Sequence, residues 1–339
     1  MKVRMSLLAA LLCLLLLTAC GQGDGPAAPE FQLPEGRRLE PLSLEQSQAM
    51  ARFLNANRVC LEGDALYCYE VDGDWQPVLA RYTWDGKALT DFSILAEGCV
   101  PEYLCRLGDY LYYIERGSGG IERVPLQGGQ RELVRPGPCE GLLAREGQLC
   151  FRSGEGRFLA LDPASGTETL LLGETCAWAY PLEGAILYLS AGEESRLRLF
   201  WTEEGLDEAL SVGPASTPLI LENRLYYRSG ELLHAVDLDG ENPRSFALPE
   251  TDGAIELLPE AGGLCLRGIR DGSGPAQWEG PPEGPFRGQP RGYRICDWLG
   301  GGVRVDTVYE ADGRIRCFLL TREDGGQISF LAGRSTEIN

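Results

Sequence analysis

The chain is predicted to be all-β, a β-propeller of four-stranded blades with a short N-terminal helix. Three observations lead there. A strand motif recurs at Asp64-Ala-Leu-Tyr-Cys-Tyr69, Asp109-Tyr-Leu-Tyr-Tyr-Ile114, Gly147-Gln-Leu-Cys-Phe-Arg152, Gly184-Ala-Ile-Leu-Tyr-Leu189, Asn223-Arg-Leu-Tyr-Tyr-Arg228 and Gly262-Gly-Leu-Cys-Leu-Arg267. Its anchors Leu66, Leu111, Leu149, Ile186, Leu225 and Leu264 stand 45, 38, 37, 39 and 39 residues apart, a period that belongs to repeat architectures. Beyond each of the first five anchors lies a hairpin tip (Trp84-Asp-Gly86, Pro125-Leu-Gln-Gly128, Asp162-Pro-Ala-Ser-Gly166, Thr202-Glu-Glu-Gly205, Asp237-Leu-Asp-Gly240), where glycine takes positive φ without steric cost. With one strand before each anchor and one after each tip, every period holds four antiparallel strands.

The elements follow in order. Lys2 and Arg4, then apolar Leu7 to Leu17, then Ala19 have the layout of an export signal. Eleven residues make a helix of about 16 Å, too short for about 30 Å of hydrocarbon. Leu17-Thr-Ala-Cys20 resembles the lipobox of bacterial lipoproteins, with residues 1–19 as the signal peptide. That resemblance implies lipidation (palmitate among the chains) on Cys20 and a location at the extracytoplasmic face of the cell membrane. Two acyl chains suffice for stable anchoring, whereas one does not. Residues 20–41, rich in Gly, Pro and Ala, are expected to be a flexible tether reaching about 25 Å. In the lead-in 42–57, Ser43 and Gln46 have capping-box spacing, and Leu44, Met50, Phe53 and Leu54 follow at helical intervals.

Residues 58–339 hold the repeats, enough for seven blades, with six as the alternative. The last copy offers three strands, around Val303–Tyr309, Arg314–Leu320 and Gln327–Leu331, and a fourth is expected from near the N-terminus. Residues 271–292, half of them Gly or Pro, read as a loop insertion. Trp278 and Phe286 within it are candidate binding residues. The Leu-Tyr-Tyr strand, followed by one ending in Val236-Asp-Leu-Asp-Gly240, resembles the YWTD-type propeller repeat of the low-density-lipoprotein receptor, in the style of propeller lipoproteins of bacteria. The resemblance implies a surface that binds other proteins and supplies no catalytic residues. Phe200-Trp-Thr-Glu203 mimics the tetrad but falls on the wrong strand of its repeat.

Composition narrows the function classes. The chain carries 50 acidic against 31 basic side chains, and loss of Lys2 and Arg4 with the signal would leave a net charge of −21. Such a balance repels nucleic acid and anionic headgroups. His234 is the only histidine, so a serine triad or a two-histidine zinc site cannot be assembled. No P-loop or CxxC pair occurs. Ten cysteines remain after Cys13 and Cys20, and those inside apolar strands (Cys68, Cys150, Cys265, Cys317) read as small buried hydrophobes. Cys139 and Cys176 each stand eight residues before the glycine that opens their repeat's anchor motif, as does Ala254, which marks a position for a small residue. Asp237 to Asn242 has calcium-like alternation but lacks the twelfth-position glutamate, and its turn chemistry explains it without metal. No cofactor, metal or catalytic residue is expected. The expectation is a lipid-anchored binding or scaffolding module for a protein or glycan. A propeller hydrolase or lyase with acids at the central channel is the alternative, and a thiol redox or metal-binding lipoprotein is a third reading.

Overall fold

The computed structural model describes residues 38–338 apart from 193, 250–254, 261, 271–275, 286, 290–292, 301–302, 310–314 and 323. The described residues form one helix, α1 (Leu44–Leu54), and seven antiparallel sheets, each strand hydrogen-bonded to the next in sequence. Six sheets have four strands (59–97, 101–135, 139–172, 176–214, 216–247 and 255–289), and the seventh has five (293–338). The repeated motif is the second strand of each of the first six sheets, and its anchors are between 0 and 5 % exposed. Val305, fully buried on the corresponding strand of the seventh, continues the series.

Apolar packing joins neighbouring sheets face to face. Leu66 and Tyr82 of the first sheet pack with Val305, Phe318 and Phe330 of the seventh, while Tyr67 and Leu79 pack with Leu111 and Tyr113 of the second. The contacts continue from second to third (Tyr112 with Phe151), third to fourth (Phe158 with Tyr188) and through the fourth, fifth and sixth (Leu199, Leu225, Leu257). Because both faces of a sheet are covered, the anchor strands run apolar without alternation, as in Ala185–Ser190. The sixth and seventh sheets meet through charge. Arg267 Nη1 lies 3.0 Å from Asp306 Oδ1, with side chains 1 % and 0 % exposed. The inner strands of the first and seventh sheets touch, which closes the ring. This is a seven-bladed β-propeller.

Cys139 and Cys176 begin inner strands, and their N–H groups donate at 2.8 Å to Gly119 and Gly156 carbonyls of the preceding blade. Ala215 does the same to Ser195. The position lies in the seam between blades, where only a small side chain fits; Ala254 lies outside the described residues.

Two expectations need correction. Segment 271–292 is not wholly an insertion, since Ala276–Gly280 and Arg287–Gln289 are the third and fourth strands of the sixth sheet. Pairing of Ala276–Gly280 with Gly263–Arg270, and of Arg287–Gln289 with Ala276–Gly280, imposes strand structure on a composition that reads as loop. Among the described residues, the last blade also takes no strand from the N-terminal region. Tyr293–Gly300 is its inner strand, and Arg334–Ile338 adds a fifth at its outer edge. Residues 1–37, with the signal peptide, Cys20 and most of the tether, lie outside the described residues. Among the described residues no helix is long and apolar enough to cross a membrane.

Candidate functional site

A propeller's axial channel is the natural place to look for a site, and here the chain itself enters it. The capping box forms as expected: Ser43 N–H donates to Gln46 Oε1 at 2.8 Å, and Gln46 N–H donates to Ser43 Oγ at 3.2 Å. The helix it starts touches the inner strands of the third, fifth, sixth and seventh blades. At its C-terminal end, Phe53 meets Tyr103 of the second blade and Trp178 and Tyr180 of the fourth, with ring centroids 5.4–5.9 Å apart. A helix in contact with six of the seven inner strands lies on the axis. Met50, Ala51 and Ser47 are fully buried there.

The direction of travel is fixed by the partners. Leu42 N–H donates to the carbonyl of Glu222, just past the end of inner strand Ser216–Leu221. Residues Leu39 to Gln46 border the ends of inner strands Cys139–Arg145 and Cys176–Leu182. Leu54 to Ala56 border the starts of Ser216–Leu221 and Ile255–Glu260. The chain therefore enters at the face where inner strands end, crosses the channel, and emerges at the opposite face to begin the first blade at Val59. An eleven-residue helix is about 16 Å long, close to the depth of the strands around it.

Gly141 shows how tight the fit is. Its φ is +61°, and a Cβ placed there would lie 2.7 Å from Phe53 Cζ. Among the described residues, cavities of about 260, 490 and 440 Å³ lie beside α1. The first is lined by Arg52, Phe53, Cys60, Tyr103, Arg106 and Tyr180. Arg106 is paired with Glu62 at 3.3 Å. Burial, reinforced by Glu62, pushes the Cys60 thiol up to about 12, so it stays protonated and is no nucleophile. Burial likewise raises Cys99, Cys150 and Cys176 to about 11 and raises Cys105 and Cys139. Cys60, Cys99, Cys105, Cys139, Cys150, Cys176 and Cys317 are free thiols.

His234 is a core residue. Its Nδ1 lies 2.9 Å from Ser245 Oγ, its ring packs at 5.1 Å on Tyr227, and burial lowers its pKa, which keeps it neutral. Asp237 is engaged by Arg224 at 2.8 Å and by Asn242 Nδ2 at 2.8 Å, and Asp239 accepts from Glu241 N–H, so these carboxylates hold the hairpin tip. Trp278 lies on the third strand of the sixth blade, and Phe286 falls outside the described residues. Trp278 is therefore held by strand pairing and is not carried on a free recognition loop. The axial helix could not be placed from sequence, because the channel is assembled by segments far apart in the chain. Gly141, interrupting an apolar inner strand, is the local sign of a close approach.

No family model matches this chain, and no curated protein sequence matches it. Solved structures do. A Mycobacterium tuberculosis puromycin-hydrolyzing peptidase aligns at TM-score 0.55 and 13% identity, over 91% of this chain and 56% of that one. A puromycin hydrolase aligns at TM-score 0.52 and 13% identity, over 90% of this chain and 56% of the other. The chain thus spans little more than half the length of these two proteins. At such identity the likeness is one of fold. A nidogen/laminin complex aligns at TM-score 0.40 over 56% of this chain.

Proposed function

We propose that this protein is a lipid-anchored propeller of the cell envelope that binds a protein or glycan partner on an outer face. The reading rests chiefly on the axial helix. The hydrolase or lyase alternative needs carboxylates converging on an open channel, whereas here α1 occupies the channel and at its C-terminal end Phe53 packs on Tyr103, Trp178 and Tyr180. With its channel occupied, a propeller still offers two broad faces built of turns on a rigid scaffold. The lipobox at Cys20 supplies the attachment, and the acidic surface favours a partner with basic groups at its contact.

The test is palmitate labelling and detergent partitioning of the full chain in a bacterial host. The wild-type protein should take up label and enter the detergent phase, and Cys20→Ser should do neither. An unlabelled wild-type chain would overturn the anchored reading.

A further inference from the structure

Resting on that reading, we propose that the face opposite the helix's entrance is the docking face and that Trp75 is its anchor, inserted into an apolar, cation-edged pocket of a partner protein. Nine described non-glycine residues have positive φ, Trp75 among them at +63°. Among the described residues it alone combines that backbone with a large apolar side chain in solvent, and it is 60 % exposed. Left-handed backbone is unfavourable for a bulky residue, and an exposed indole gains little from its own fold. A residue kept under both costs is a candidate for function.

The turn that carries it is closed by its own hydrogen bonds. Asp72 N–H donates to the Gln76 carbonyl at 2.9 Å, and Trp75 N–H donates to the Asp72 carbonyl at 3.1 Å. Asp72 Oδ1 accepts from the N–H groups of Asp74 and Gln76 at 2.8 and 2.9 Å. An aromatic held on a preorganised turn loses little entropy on binding, which is the character of an interface hot spot. Asp74, exposed beside it, gives the turn negative charge, so the complementary pocket is apolar with basic groups at its edge.

The turn lies on the face opposite the entrance of α1. It joins the second and third strands of the first blade, Ala65–Val71 and Pro77–Trp84, and so lies where inner strands begin. Residues 38–43, which lead back toward Cys20, lie at the other face. Lys87, exposed in the next hairpin of the same blade, is on that entrance face and serves as a control.

The experiment uses the full chain in its own membranes, with p-benzoylphenylalanine placed at position 75 or at position 87. Position 75 should give one discrete protein adduct and position 87 should not. Detergent-solubilised wild-type chain in excess should abolish the adduct, whereas Trp75→Asn chain should not compete. Asparagine accepts left-handed backbone, so Trp75→Asn should keep or raise the Tm. The same adduct from both positions, a dimer of this chain, competition by Trp75→Asn, or the absence of any adduct would overturn the proposal. So would a fall of several degrees in the Tm of Trp75→Asn, which would make Trp75 a structural residue. Palmitate labelling scores the anchor separately, so a chain that is labelled but gives no adduct leaves the anchored reading standing and removes only this one.

Discussion

Gly141 and Glu70 show how single positions set the limits of this fold. Any side chain at Gly141 would meet both left-handed backbone and the Phe53 ring. Backbone strain of about 1–2 kcal/mol and overpacking of about 1–3 kcal/mol then act together. Gly141→Ala should therefore lower stability by about 2–5 kcal/mol in urea unfolding, and pairing it with Phe53→Leu should recover part of the loss. A Gly141→Ala protein as stable as wild type would mean that Phe53 does not occupy the axis. Glu70 is fully buried between the first and last blades, where its carboxylate accepts from Tyr82 Oη at 2.6 Å and from Gly333 N–H at 3.4 Å. Burial outweighs those donors and raises its pKa. A carboxyl that holds its proton more tightly folded than unfolded contributes most stability below its unfolded pKa and loses it as pH rises through the folded value. Glu70→Gln can keep Oε1 toward Gly333 and turn its amide toward the Tyr82 oxygen. The variant should match wild type near pH 4 and gain on it by about pH 7, as read by Tm across that range. A variant that loses ground as pH rises would reverse the sign assigned to Glu70.

At the scale of elements, the seven second strands carry the architecture, and the sequence displayed six of them openly. Leu111 and Leu225 are wholly buried, so Leu111→Ala or Leu225→Ala should cost about 2–5 kcal/mol. Leu133, on the outermost strand of the second blade, is 62 % exposed, and Leu133→Ala should change stability by less than about 0.5 kcal/mol. Equal losses at the three sites in chemical denaturation would contradict the blade assignment. What stayed hidden has physical reasons. Val305 replaces the usual leucine and no tyrosine follows it, so the seventh copy escapes a pattern built on Leu-Tyr-Tyr. The strands at 276–280 and 287–289 sit among prolines and glycines, and only pairing makes them strands, the first with Gly263–Arg270 and the second with the first. For α1 the capping box and periodicity gave the helix itself. Its seat on the axis depends on inner strands spread from Pro101 to Gly300, and no local pattern encodes that. Trp75 is inconspicuous in the sequence for a related reason. Asp72-Gly-Asp-Trp75 reads as an ordinary turn until the ring's direction is known.

The whole molecule is a ring, and a ring is only as secure as its weakest seam. Six seams are sealed by apolar side chains. Between the sixth and seventh blades Arg267 and Asp306 lie buried, with Glu256 3.6 Å from the same guanidinium nitrogen and Arg304 paired to Glu260 at 3.3 Å. Closure between seventh and first blades is reinforced by the C-terminal hairpin, where Ser335 Oγ donates to the Leu89 carbonyl at 3.1 Å. A buried ion pair gains from mutual attraction about what it loses by leaving water, so its removal as a unit costs little, while removing one partner strands a charge. Asp306→Ala should therefore destabilise the propeller by about 3–5 kcal/mol. Arg304 Nε also lies 3.7 Å from Asp306 Oδ2. The double variant Arg267→Met/Asp306→Leu should therefore recover most of that loss and fall short of wild type by what Arg304 loses with Asp306, since Glu256 is 18 % exposed and can turn to water while Arg304 keeps Glu260. Urea unfolding of the two variants and of Arg267→Met alone completes the cycle. If the double variant is no more stable than Asp306→Ala, the pair is doing more than filling the seam. The charges would then be setting the register of the sixth blade on the seventh, and limited proteolysis within 255–338 should rise in the double variant.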